Sequence, residues 1–279
     1  MSRTIVITGA SDGIGAAAAR IQAGFGDELV LVGRSPEKTK AIAAELGADY
    51  FLADFTDLSQ VKTLALALEQ KYPRIDVLAN NAGGVMGPHE VTVDGHEKTF
   101  QVNHLAPFLL TTALMDTLVA SQARIINTSS AAHRLMAKFN IDDLDAEKRY
   151  SANAAYGNAK LANILFTKEL QRRYGSLGIN AAAFHPGIVG SNFASEAAGF
   201  IKFAYGLMSQ SFMISPVQGA DTLIWLANSE PGVDWTAGEY YSKRKVTRVT
   251  KAAADPTLAV QLWDRSAAMI AAFETNDAV

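Results

Sequence analysis

Tyr156-Gly157-Asn158-Ala159-Lys160 sets a phenol and an ammonium four residues apart, on one face of any helix that carries them. A phenol ionises near ~10, so acid–base work near neutrality requires a shift of about three units, or ~4 kcal/mol. One cation ~4–6 Å away at an effective dielectric of ~20 supplies about that much, but only where water is kept out. Such a pair also arises by chance in a chain with 8 tyrosines, so its position must decide its meaning. Upstream, an apolar run ends in Asn127-Thr128-Ser129-Ser130, where a serine can hydrogen-bond a carbonyl oxygen.

Near the start, Thr8-Gly9-Ala10-Ser11-Asp12-Gly13-Ile14-Gly15 follows a short apolar run and leads into the alanine-rich stretch Ala16 to Arg20. Glycines there permit a tight turn and close approach to a pyrophosphate, while a helix N-terminus offers free N–H groups and a positive dipole. The same octet satisfies G-x-S-x-G, the nucleophile elbow of serine hydrolases. An elbow needs an upstream loop to supply an oxyanion-hole N–H, and the eight residues before Gly9 are consumed by a strand. A dinucleotide is the better ligand. At the end of the second strand an NAD site would carry a carboxylate for the ribose hydroxyls, but this chain has Gly33-Arg34. The guanidinium suits a 2′-phosphate, which favours NADP(H), although Asp12 puts a negative charge in the nearby loop.

The elements that position these groups alternate strand and helix. Thr4 to Thr8, Leu29 to Gly33, Asp49 to Ala53, Val77 to Asn80, Arg124 to Thr128 and Ile179 to Phe184 read as strands, with Tyr240 and Tyr241 hinting at another. Ser35-Pro36-Glu37 opens a helix that Gly47 closes, and Asp255-Pro256 opens an amphipathic stretch reaching about Phe273. This is the pattern of an α/β fold: one doubly wound, Rossmann-type parallel sheet with helices on both faces. No linker or repeat divides the 279 residues, so a single domain over 1–279 is expected.

Composition narrows the function. Hydrophobic residues make up 49% of the chain, enough for a large core. The absence of cysteine excludes disulfides, thiolate metal sites and a cysteine nucleophile. A net charge of −3 gives no basic field for nucleic acid. The five histidines (His89, His96, His104, His133, His185) lack zinc-site spacing and read as scattered surface or core residues, so no metal is assigned. No stretch has the ~20 apolar residues of a membrane span, and the first strand begins too early for a signal peptide; a cytoplasmic protein is expected.

Taken together the motifs resemble the short-chain dehydrogenase/reductase family: the glycine octet, Asn80-Asn81-Ala82-Gly83, Ser130, Tyr156 with Lys160, and Pro186-Gly187 occur in order between residue 4 and about 193. The resemblance implies that Ser130 orients a substrate carbonyl, Tyr156 exchanges a proton, and Lys160 lowers the tyrosine pKa and holds the nicotinamide ribose. Asn103 matches the fourth catalytic residue, which holds a water in the proton relay. Gly9, Ser11, Asp12, Gly13, Ile14 and Gly15 are expected to cradle the phosphates, with Arg34, Asp54 and Phe55 beside the adenosine. Asn80, Asn81, Ala82 and Gly83, then Tyr156 and Lys160, continue the cofactor site toward the nicotinamide, which Pro186, Gly187, Val189 and Ser191 border. Ser191 stands where threonine is usual and keeps the hydroxyl.

Val102-Asn103-His104-Leu105, the long Ser130-to-Tyr156 spacing and Lys160-Leu161-Ala162-Asn163 resemble the retinol-dehydrogenase-like branch, near protochlorophyllide reductases. The implied activity is NADP(H)-dependent hydride transfer to or from a carbonyl or alcohol; the rival reading is a non-catalytic NADP(H) sensor on the same fold. Family members commonly pair through two long helices, here about 97–120 and 155–174, so a homodimer or homotetramer is expected. Aromatics, methionines and glycines between 191 and 216 read as a lid over a lipophilic substrate.

Overall fold

A computed structural model of the chain describes residues 2–189 and 214–276. The chain alternates β1 (Thr4–Thr8), α1 (Gly13–Ala23), β2 (Glu28–Gly33), α2 (Pro36–Leu46), β3 (Asp49–Leu52), α3 (Leu58–Lys71) and β4 (Val77–Asn80). Then come α4 (Lys98–Phe100), a π-turn (Gln101–Leu105), α5 (Ala106–Ala113), α6 (Met115–Ala120), β5 (Arg124–Thr128), α7 (Ala132–Leu135) and α8 (Ala152–Tyr174). After β6 (Asn180–His185) the described chain resumes with α9 (Pro216–Asn228), β7 (Tyr240–Ser242), β8 (Lys245–Val246) and α10 (Pro256–Asn276).

The strands form one sheet in the order β3-β2-β1-β4-β5-β6-β7-β8, parallel except for β8. β1, β4 and most of β2, β5 and β6 are buried on both faces, which is why their sequences are unbroken apolar runs rather than alternating ones. One core lies between the sheet and α3, α5 and α8; another lies between the sheet and α1, α2 and α9. The chain crosses from one half of the sheet to the other between β1 and β4, the switch point where α/β sheets bind ligands at their carboxyl ends.

The helix expected over 97–120 is interrupted. Ala106 N–H bonds the Gln101 carbonyl five residues back, which is the wide π spacing. The cause is Pro107: it has no N–H for the Asn103 carbonyl four residues earlier, and its ring would clash with that carbonyl in a regular helix. The distortion falls on the residue expected to serve the proton relay.

Part of α5 and α8 packs against the last helix of the same chain. Trp263 of α10 packs edge-on to Phe108 of α5 at 5.0 Å between ring centroids and on Phe166 of α8 at 5.8 Å. Phe108 and Phe166 are therefore spent on internal packing, and any pairing of the kind expected would use the outer faces of α5 and α8. Among the described residues no helix is long and apolar enough to cross a membrane.

Candidate active site

The turn after β1 is built by close approach. A Cβ on Gly15 would stand 2.2 Å from the Gly9 carbonyl oxygen, so only glycine lets α1 start this near the strand. Asp12 caps α1, its carboxylate accepting from the Gly13 N–H, and Lys38 of α2 pairs with that carboxylate at 3.0 Å. Ile14 packs toward Gly219 of α9. Next to this turn lies a cleft of about 210 Å³ lined by Gly9, Ser11 and Arg34, by Asp54 and Phe55 after β3, and by Ala82 and Gly83 after β4. These residues, scattered over the sequence, meet at the switch point as expected, and the glycine-lined concavity suits the flat, phosphate-bearing end of a dinucleotide.

Asn80 and Asn81 face the protein rather than this cleft. Asn80 donates to Thr111 and Asn127 inside the core, and Asn81 ties the end of β4 to the Thr8 carbonyl at 3.0 Å. They hold the walls of the cleft. Asp54 accepts from the N–H and hydroxyl of Thr56, which fixes the bend after β3.

Tyr156 and Lys160 share the buried face of α8, with 6% and 2% of their surface exposed. Lys160 Nζ lies 5.5 Å from the centroid of the Tyr156 ring and donates to the Thr128 carbonyl at 3.1 Å. Burial pushes the ammonium down to about 7. Asn163, one turn on, donates to the same Thr128 carbonyl, and Ser129 Oγ donates to the Lys160 carbonyl at 2.6 Å. Thus α8 is bolted to the end of β5, and through it Tyr156 and Lys160 are placed relative to Ser130. Neither Asn163 nor Ser129 was marked by sequence as a positioning residue, although Ser129 adjoins Ser130 and Asn163 lies one turn from Lys160.

Gly83 joins the two halves of the site. A Cβ there would stand 2.4 Å from Asn103 Oδ1 and 3.3 Å from Lys160 Nζ. Asn103 is fully buried; its amide donates to the Gly84 and Thr99 carbonyls, and its oxygen accepts from the Gly84 N–H. Asn103 therefore clamps the turn after β4 to the π-turn.

Ser130 follows β5, and its Oγ accepts from the Ala132 N–H at 3.2 Å. That bond occupies a lone pair and leaves the hydroxyl proton to donate elsewhere. The segment after α7 runs tightly over the Tyr156 helix: a Cβ on Gly157 would meet the Ala137 nitrogen at 2.5 Å, and Asn158 accepts from the Lys138 N–H at 2.7 Å. Pro186 and Gly187 close the far side, where Gly187 has φ +95° and Val189 pairs with Ile214. Ser191 and residues 191–213 of the expected lid lie outside the described residues; the last two residues of that stretch, Ser215 and Pro216, form the capped start of α9.

Comparison with known proteins agrees with this geometry. The model of the short chain dehydrogenase family matches residues 3–199. A Streptomyces protein named as a daunorubicin C-13 ketoreductase, DnrU, is 42% identical over 275 residues, covering 96% of this chain and 92% of its own. Human retinol dehydrogenase 11 is 38% identical, covering 95% of this chain and 84% of its own. Among solved structures, a protein from Mycobacterium paratuberculosis superposes with a TM-score of 0.76 at 31% identity, over 96% of this chain and 92% of its own. With a switch-point cleft, a buried tyrosine–lysine pair and relatives of these kinds, the chain belongs to the short-chain dehydrogenase/reductase family, in its retinol-dehydrogenase-like branch.

Proposed function

We propose that the chain, acting as one catalytic domain, is an NADP(H)-dependent oxidoreductase for a lipophilic ketone, aldehyde or alcohol. The observation that carries this reading is the buried Lys160 ammonium against the Tyr156 ring, anchored to the carboxyl end of β5 and bordered by Gly83. Bound along the cleft, the nicotinamide supplies or accepts the hydride. The Ser130 hydroxyl donates to the substrate oxygen, and the Tyr156 phenol gives that oxygen a proton or takes one from it. Lys160, when charged, favours the ionised phenol. Asn103 supports the relay by fixing the Gly84 turn.

The 2′-phosphate assignment rests on Arg34, whose exposed side chain borders the cleft beside Asp54 and Phe55. The objection raised by Asp12 is weakened, since Lys38 neutralises that carboxylate. The substrate class is supported by relatives whose names specify retinol, an apolar alcohol, and the C-13 ketone of daunorubicin, a bulky polycycle. It is also supported by Ile188, which stays 39% exposed beside Gly187, and by Leu135, 72% exposed at the end of α7. Each Å² of apolar substrate surface buried there contributes ~25 cal/mol. NADPH oxidation against carbonyls of increasing apolar size tests the proposal: efficiency should climb with size, and a flat or falling series would remove the substrate class.

A further inference from the structure

The peptide joining Ser130 to Ala131 is gripped at both ends by imidazoles. His133 Nδ1 lies 2.6 Å from the Ser130 carbonyl oxygen, and the Ala131 N–H points at His185 Nδ1 at 3.4 Å. A carbonyl can only accept and an N–H can only donate, so the two rings must be opposite tautomers. His133 carries its proton on Nδ1, and His185 carries its own on Nε2.

The surroundings favour this arrangement. His133 is 2% exposed, its Nε2 has no hydrogen-bond partner among the described residues, and its ring meets that of Tyr240 edge-on at 5.0 Å between centroids. A second proton on Nε2 would be buried without an acceptor. Burial lowers the pKa of both imidazoles, which keeps them neutral. The two histidines come from different places, His133 from α7 and His185 from the end of β6. His185 thus ties the peptide to a separate strand, while His133 closes the turn that the peptide opens.

We infer that His133 and His185 are positioning residues that clamp the Ser130–Ala131 peptide and so aim the Ser130 hydroxyl at the substrate oxygen. The effect on turnover rests on the function proposed above, whereas the clamp itself does not. Loosening of this peptide would let the turn from Ser130 to Ala132 shift, weakening the Ala132 N–H bond to Oγ and freeing the serine side chain to take other rotamers. Misdirection of one donor in a reacting site costs rate rather than cofactor affinity.

Two measurements test the clamp. Nitrogen NMR of histidine-labelled protein reads the tautomers directly: His133 should be protonated at Nδ1 and His185 at Nε2. The same tautomer at both, or the reverse assignment, overturns the inference whether or not a substrate is known. The second is a mutant cycle on carbonyl reduction. His185→Leu and His133→Phe should each lower kcat about tenfold with NADPH affinity unchanged. His185→Asn and His133→Asn, which place an amide at the Nδ1 position, should restore most of it. In a Ser130→Ala background, followed by single turnover, the histidine substitutions should cost less than twofold. Equal losses with and without Ser130 would show that the histidines act by another route.

Discussion

Lys160 Nζ sits 5.5 Å from the centre of the Tyr156 ring, and among the described residues its hydrogen bond is to the Thr128 carbonyl. An ammonium held so dry is poised to lose its proton near neutrality, and its position is a cost to the fold accepted for the chemistry.

Lys160→Met should therefore abolish turnover and raise stability. The folded-state pKa, about 7, is below the ~10.4 of an exposed lysine, so between those values the unfolded chain carries a proton that the folded chain lacks. Wild-type stability then rises with pH across that window and levels off below about 7. The variant lacks this slope, so its advantage in Tm should be largest near pH 6.5 and shrink toward pH 9.5. Parallel pH dependences in the two proteins would mean that Lys160 is not buried as described.

Gly157→Ala puts a methyl group 2.5 Å from the Ala137 nitrogen, a backbone atom that cannot swing aside. Overpacking of this kind costs about 1–3 kcal/mol, or roughly 2–5 °C in Tm for a domain of this size. A thermal melt unchanged within about 1 °C, below the smallest shift such a cost implies, would show that the segment after α7 does not lie against the tyrosine helix.

Arg34→Ala should weaken NADPH binding about tenfold, the worth of one partly solvated charge-assisted bond, and leave NADH within about twofold. Titration of the two cofactors by fluorescence separates them. Equal losses for both would assign Arg34 a structural task and withdraw the phosphate preference.

The chain has no cysteine, so Ala113→Cys on the exposed side of α5 introduces a unique reporter. A dimer built on α5 and α8 would bring two such thiols together and oxidise to a disulfide-linked pair. With Trp263 covering Phe108 and Phe166, no such product is expected. Its rapid formation at micromolar protein would show that α5 and α8 pair through their outer faces despite this packing.

How far the sequence reaches is clearest at particular residues. β1, β4 and β5 were legible to the residue because strands buried on both faces must be apolar throughout. β8 was not, since Lys245 and Val246 are both exposed and two residues carry no pattern. Ser130, Tyr156 and Lys160 could be named from spacing and resemblance. His133 and His185 could not be given a task, because their partners are the backbone of a turn that exists only after β5 and β6 pair. Pro107 was visible as a break in an apolar stretch, but its consequence, the π-turn at Asn103, depends on the helix continuing past it. Asn158 gained a role only when the Lys138 N–H was found against it.

The central claim is that Tyr156 transfers the proton in a nicotinamide-dependent reaction. Its most direct test compares wild type with Tyr156→Phe in two assays on the same samples, NADPH binding and NADPH oxidation with a bulky apolar ketone. The account predicts binding within about twofold of wild type and a turnover reduced at least ~100-fold, the lower end of what a positioned acid–base group contributes. Near-normal turnover in the phenylalanine variant would contradict it.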